Sequence, residues 1–181
     1  MPTLILIGTN VAMYVYTSLL SGNFIVINGN VVAYYGLSNS AVYYHGYYWQ
    51  LISSMFVHLN ILHIGSNMLF LFIFGLRAEE LFSTIEYYSI YFVSGFTGNL
   101  LTLLAGPNVL SAGASGTIMG VFGADVIFLR KSVGQPIIVS LMIAFLFFIL
   151  TASEGTNLLA HLGGLLAGLI IGYFLSRTKK L

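Results

Sequence analysis

The sequence predicts an all-α polytopic membrane protein of six transmembrane helices, and three observations carry that prediction. Only 6% of the 181 residues are charged while 58% are apolar, more apolar surface than a soluble domain of this size can hide in one core. Six segments approach the roughly 20 apolar residues that a helix needs to cross about 30 Å of hydrocarbon. With six spans, every lysine and arginine falls on the same side of the membrane.

The spans are expected at about Leu4 to Leu20, Leu59 to Leu76, Ile85 to Leu104, Ala114 to Leu129, Pro136 to Thr151, and Leu158 to Leu175. The first run has no basic residue ahead of it and no small-residue cleavage site after it, so it reads as a span and not as a removable signal peptide. Arg77 follows span two, Arg130 and Lys131 follow span four, and Arg177, Lys179 and Lys180 follow span six. By the positive-inside rule that side, which also holds both termini, is cytoplasmic, as in a multi-pass protein of the cell membrane; five or seven spans would scatter the same charges. The connection from Ser21 to about Val57 is the longest, and it carries Tyr34, Tyr35, Tyr43, Tyr44, Tyr47, Tyr48 and Trp49 with almost no charge. Amphipathic aromatics of this kind suit the headgroup layer, so the loop is expected to lie partly in the outer interface. Residues 1–181 read as one domain without internal repeats or low-complexity tracts.

Composition removes several function classes. The absence of cysteine excludes disulfides, thiol catalysis and cysteine-ligated metal, and a net charge of +1 argues against nucleic acid as a partner. The lipid bilayer is the partner that the composition requires.

Polar side chains inside a bilayer are costly, and each is either helix-packing glue or part of a function. Depth sorts them. Ser115 lies 15 residues before Arg130 and His161 lies 16 before Arg177, so at about 1.5 Å per residue both sit roughly 22 to 24 Å above the basic layer. On the same ruler His63 is about 21 Å up and Asn67 about 15 Å up. Positions 161, 164, 168 and 172 share one helix face, a histidine above a glycine groove, and Gly113-Ala114-Ser115-Gly116 with Gly120 and Gly123 offers a thin partner helix. A serine hydroxyl becomes a useful nucleophile when a base within about 3 Å takes its proton, and such close packing permits that approach. The turn-forming stretch Gly106-Pro107-Asn108 and Ser111-Ala112-Gly113 predicts a loop that leaves Ser115 at a helix N-terminus, where free backbone N–H groups can hold an oxyanion. His63 and Asn67, four apart on one face, are candidate further donors. Asp125 is about 15 Å deeper than Ser115 and is expected to pair with the basic residues near Arg130, which leaves a Ser–His dyad in place of a triad.

These residues resemble the rhomboid family over essentially the whole chain, in motif order as well as in topology. Gly113-Ala114-Ser115-Gly116 is similar to the family's G-x-S-G nucleophile motif, and Ala160-His161 with Gly164 and Gly168 to its A-H-x-x-G-x-x-x-G. His58, His63 and Asn67 resemble its H-x(4)-H-x-x-x-N, and Gly75-Leu76-Arg77-Ala78-Glu79 the start of its G-x-x-x-E-x-x-x-G element. The resemblance implies a six-transmembrane-helix rhomboid fold and an intramembrane serine endopeptidase. Ser115 would be the nucleophile and His161 the general base, with His63, Asn67 and the Ser115 backbone assisting the oxyanion. Gly113, Gly116, Gly164, Gly168 and Glu79 would give structural support. It further implies cleavage of single-span transmembrane substrates next to small residues, without cofactor or metal, with span five as the wall through which a substrate helix enters. Three positions depart from the pattern. Trp49-Gln50 stands for Trp-Arg, which puts a loop-bracing ion pair in doubt. Ser83 stands for glycine, a change expected to matter little. Met119 stands for a tyrosine against which the histidine stacks, so His161 is expected to be held by sulfur contact instead.

Other readings of the same residues are a rhomboid-like protein that binds membrane clients without cutting them, a small transporter with a midplane site, and a zinc protease using His58, His63 and His161. The first would usually lack the serine or the histidine, the second predicts repeat symmetry, and the third lacks H-E-x-x-H. His58 is expected at the outer interface in a structural role, His45 carries no argument, and Glu154 is expected to be solvated.

Overall fold

The computed structural model describes residues 1–131, 133–151 and 155–178; the expected positions of Glu154, Lys179 and Lys180 lie outside them. The chain folds as helices laid down where the apolar runs predict them. Helix α1 is Pro2–Ser21, with proline in its first turn and Gly22 at φ 63° ending it in the left-handed conformation. After the long connection come α5, Ile61–Leu81, and α6, Thr84–Leu103. Then follow α7, Ser115–Leu129, α8, Ile137–Leu150, and α9, Leu158–Thr178. By length and composition α1, α5 and α9 are each long and apolar enough to cross a membrane, while α7 and α8 are shorter apolar helices.

The connection between α1 and α5 is a small folded unit. It contains α2 (Gly29–Tyr35), strand β1 (Leu37–Ser38), α3 (Asn39–His45), α4 (Gln50–Ser53) and a 3-10 turn at Ser54–Phe56. β1 pairs antiparallel with β2 (Leu110–Ser111), a two-strand contact that the all-helical expectation lacks. It arises because two loops meet edge to edge where neither is helical, and their backbone groups must find partners. The fully buried Asn39 donates through Nδ2 to the carbonyls of Thr102 (2.9 Å) and Gly106 (2.7 Å). The doubt over loop bracing resolves in favour of Gln50. Fully buried, it donates to the carbonyls of Ala33 (2.9 Å) and Tyr34 (2.8 Å) and accepts from Ser38 N–H (2.9 Å), so a neutral amide holds the loop.

Helix starts are chosen locally. Asn60 caps α5 by accepting from His63 N–H at 2.8 Å. Ser83 has more consequence than its small size predicts: it caps α6 in a reciprocal box, accepting from Glu86 N–H while Glu86 Oε2 accepts from Ser83 N–H at 2.7 Å. Glu79 accepts from Thr3 N–H at 2.7 Å and so ties the start of α1 to the end of α5. α7 is the central helix, buried over nearly its whole length. Its glycines and small residues let α6 and α9 approach at backbone distance. A Cβ on Gly164 would sit 2.7 Å from the carbonyl carbon of Gly116, one on Gly168 2.5 Å from that of Gly120, and one on Gly163 2.8 Å from Cα of Gly98.

Candidate active site

Ser115, His161, His63 and Asn67 come from α7, α9 and α5, and all four line one cavity of about 500 Å³. Its other walls include Met55, Gly95 and Asn99 on one side and Phe147, Leu150 and Thr151 of α8 on the other. Polar groups that the depth ruler puts at one level therefore do converge in three dimensions.

Ser115 is the first residue of α7. Ala114 precedes it as N-cap and no side chain caps the helix, so the N–H groups of the first turn point out of the helix end without intrahelical acceptors. The loop that delivers it is built as the turn residues predict: Gly106 and Gly113 have φ of 86° and 129°, and Gly113 N–H donates to the Ser54 carbonyl at 3.0 Å. Gly113 is also where a side chain has no room, since a Cβ there would lie 2.8 Å from His63 Nε2 and 3.7 Å from Ser115 Oγ.

The His63 ring thus lies against the loop next to Ser115. Its Nδ1 is within 3.4 Å of Leu59 N–H, an arrangement in which Nδ1 accepts and the neutral ring carries its proton on Nε2, the nitrogen nearest Gly113. Asn67 is 5% exposed; its Nδ2 donates to the His63 carbonyl at 2.8 Å, which uses one amide hydrogen and leaves the other. His161 is also 5% exposed, and its Nδ1 has no hydrogen-bond partner among the described residues. No hydrogen bond joins Ser115 to His161 among the described residues. Met119 is buried, and its sulfur accepts from Thr151 Oγ1 at 3.9 Å, contact with the end of α8.

One expectation is corrected. Asp125 does not pair with the basic residues near Arg130. It is 3% exposed inside the helix cluster, and neither carboxyl oxygen has a hydrogen-bond partner among the described residues. It lies five residues before Arg130, about 1.4 helical turns, so the two side chains leave different faces: the carboxyl turns inward on the central α7 while Arg130 sits at the helix end. His58 is fully buried, 3.3 Å from the Phe56 carbonyl through Nδ1 and edge-on to His63 with ring centres 5.1 Å apart.

Among the cavity residues that sequence reasoning missed, Asn157 has the most connections. Asn157 caps α9 by accepting from Ala160 N–H at 3.1 Å, and its Nδ2 donates to Thr102 Oγ1 at 2.9 Å and Ser111 Oγ at 2.8 Å. It links the start of the His161 helix to the end of α6 and to the loop leading to Ser115. An asparagine immediately before the apolar run Leu158-Leu159-Ala160 was the available signal.

The rhomboid domain family model matches residues 45–178. The chain is 37% identical over 135 residues to the mitochondrial RHOMBOID-like protein 6 of Arabidopsis thaliana, covering 70% of this chain and 43% of that protein. It is 29% identical over 169 residues to Rhomboid-like protease 3 of Toxoplasma gondii, covering 89% and 64%. With RHOMBOID-like protein 7 of Arabidopsis thaliana it is 30% identical over 133 residues, covering 70% and 42%. The chain spans about half the length of these curated relatives.

Proposed function

The chain belongs to the rhomboid family, and we propose that it is an intramembrane serine endopeptidase that cuts single-span membrane proteins within or near the bilayer. The observation that carries this reading is the meeting of Ser115, His161, His63 and Asn67 on one cavity. In the proposed reaction Ser115 Oγ attacks the scissile carbonyl carbon and its proton passes to His161. The C–O bond forms, and the carbonyl oxygen becomes an oxyanion held by the Ser115 backbone N–H, His63 Nε2–H and the remaining Asn67 amide hydrogen. Collapse breaks the C–N bond as His161 returns the proton to the leaving amine, and water then repeats the sequence on the acyl-enzyme. Ser115 and His161 share the cavity with no hydrogen bond between them among the described residues, which suits a pair that tightens when substrate binds. Gly113 keeps His63 close, Gly116, Gly164 and Gly168 keep α7 and α9 close, and Glu79 anchors α1. In this reading the reaction runs without cofactor or metal. In this reading residues 1–181 form one domain of six membrane-crossing helices, with both termini on the basic, cytoplasmic side of a cell membrane.

The test is cleavage of a generic single-span rhomboid substrate by purified protein in detergent, with labelling by a serine-directed phosphonate probe. Wild type cuts and is labelled, whereas Ser115→Ala and His161→Ala melt like wild type and lose cleavage by at least roughly 10³-fold. A folded wild type inert toward substrate and probe would transfer the reading to a client-binding protein.

A further inference from the structure

Away from the cavity, the far ends of α7 and α9 gather positive charge on a single ring. The guanidinium carbon of Arg130, at the end of α7, lies 5.7 Å from the centre of the Tyr173 ring, and that of Arg177, in the last turn of α9, lies 5.8 Å from the same centre. Arg177 also donates to the Tyr173 hydroxyl at 3.4 Å. Each contact alone is an ordinary cation–π pair. Two cations on one ring repel each other, and neither forms an ion pair with a described residue, in contrast to Arg77, which pairs with Glu80. Arg130 Nε is shut off from solvent and has no acceptor among the described residues. Lys131 adds a third positive charge alongside, its Nζ donating to the Ser176 carbonyl at 2.7 Å. Among the described residues, no carboxylate pairs with either guanidinium.

The surroundings say which anion. Ile170, Tyr173, Phe174 and Arg177 follow helical spacing along one face of α9, so that face runs from apolar through aromatic to cationic toward the chain end. Ile170 and Phe174 are 57% and 63% exposed, and Val133 beside the end of α7 is 64% exposed. A free phosphate would use the cations and leave this apolar strip bare, whereas a phospholipid matches both parts.

We propose that Arg130, Tyr173 and Arg177 form a binding site for the phosphate of an anionic phospholipid, whose acyl chains lie along Ile170 and Phe174. The guanidiniums offer paired N–H donors to the phosphate oxygens, and the tyrosine ring keeps both side chains extended toward it. The site is separate from the cavity and does not depend on proteolysis.

The experiment is thermal melting of the purified full chain in an uncharged detergent, titrated with dioleoylphosphatidylglycerol, dioleoylphosphatidylcholine or inorganic phosphate. Phosphatidylglycerol is expected to raise the melting temperature by several degrees at saturation, while phosphatidylcholine and inorganic phosphate leave it unchanged. Half-saturation should weaken about 5-fold for Arg177→Gln and about 25-fold for Arg130→Gln combined with Arg177→Gln. Should the double variant fail to fold, the exposed Arg177→Gln change decides alone. Equal stabilisation by the two lipids, or an unchanged phosphatidylglycerol titration in the variant, overturns the proposal. An arginine-dependent shift produced by inorganic phosphate overturns the lipid assignment in favour of a soluble anion.

Discussion

The cavity has two kinds of wall, and they are held by different physics. On the α6, α7 and α9 side, backbones touch: Gly98 lies against Ala160 and Gly163, Gly116 against Gly164, and Gly120 against Gly168. On the α8 side contact runs through its side chains, among them Ser140, whose Oγ donates to the Val126 carbonyl at 3.4 Å. Phe147 packs on Phe70, Phe74 and Phe122 with ring centres 5.9, 5.4 and 4.2 Å apart. Of α8, only Ser140 and Ala144 are buried. Lipid is as apolar as phenylalanine, so between membrane helices packing and polar contacts carry the association, and backbone proximity gives the denser contact. The wall bearing Ser115 and His161 is therefore the stiff one, and the wall of α8 is the one that can give way.

Breaking the stiff wall should have the largest effect. Gly168→Val pushes side-chain atoms into the Gly120 backbone, which has no rotamer to change, and should cost about 3 kcal/mol or more, enough to prevent recovery of a monodisperse protein. Gly8→Val, at a position with nothing within 4 Å of an added Cβ, should leave melting and yield as in wild type. Equal behaviour of the two variants would mean that the α7–α9 contact is looser than its geometry.

The contrast also explains what was legible in the sequence. Glycine at helical spacing below His161 is a one-dimensional pattern with a direct three-dimensional consequence, so the α7–α9 contact and the helix positions could be read in advance; α5 runs five residues beyond its expected end, to Leu81, because the apolar run marks the span and not the polar turn that continues the helix past it. What could not be read is polar knitting between segments far apart in sequence. Asn39 meets Thr102 and Gly106, Gln50 meets Ala33 and Tyr34, and Asn157 meets Thr102 and Ser111. An amide has no periodicity to betray its partner, and the same chemistry serves a cap, a loop brace or a site wall. Asp125 failed for a related reason, because distance along a helix gives depth but not the direction that a carboxyl faces.

Asn157 tests the stiff wall at its polar end and should give the next effect in size. Asn157→Ala removes the α9 cap and two side-chain hydrogen bonds, a loss of about 2 kcal/mol. With the proposed protease activity in hand, kcat should fall roughly 10-fold or more with KM little changed, since the Ser115 loop and the His161 helix lose their common tie. Asn157→Asp keeps the acceptor for Ala160 N–H and loses both donors, so it should recover most of the melting temperature and little of the kcat. Parallel recovery of both would reduce Asn157 to a helix cap.

The smallest effects belong to α8, and they sharpen the comparison from the other side. Phe147 is half-buried among three rings and Phe145, two residues away, is 64% exposed on the outer face. Phe147→Ala should cost about 1.5 kcal/mol, roughly half of what a fully enclosed phenylalanine loses, because lipid can follow the retreating side chain. Phe145→Ala should stay within about 0.5 kcal/mol. The informative readout is activity. A wall held only by side chains opens more easily when its main anchor is cut, so Phe147→Ala should keep or raise the rate on a single-span substrate even as it lowers the melting temperature. A rate that falls in step with stability would show that α8 holds the site as rigidly as α9 does, and the distinction between the two walls would then be one of geometry without consequence for access.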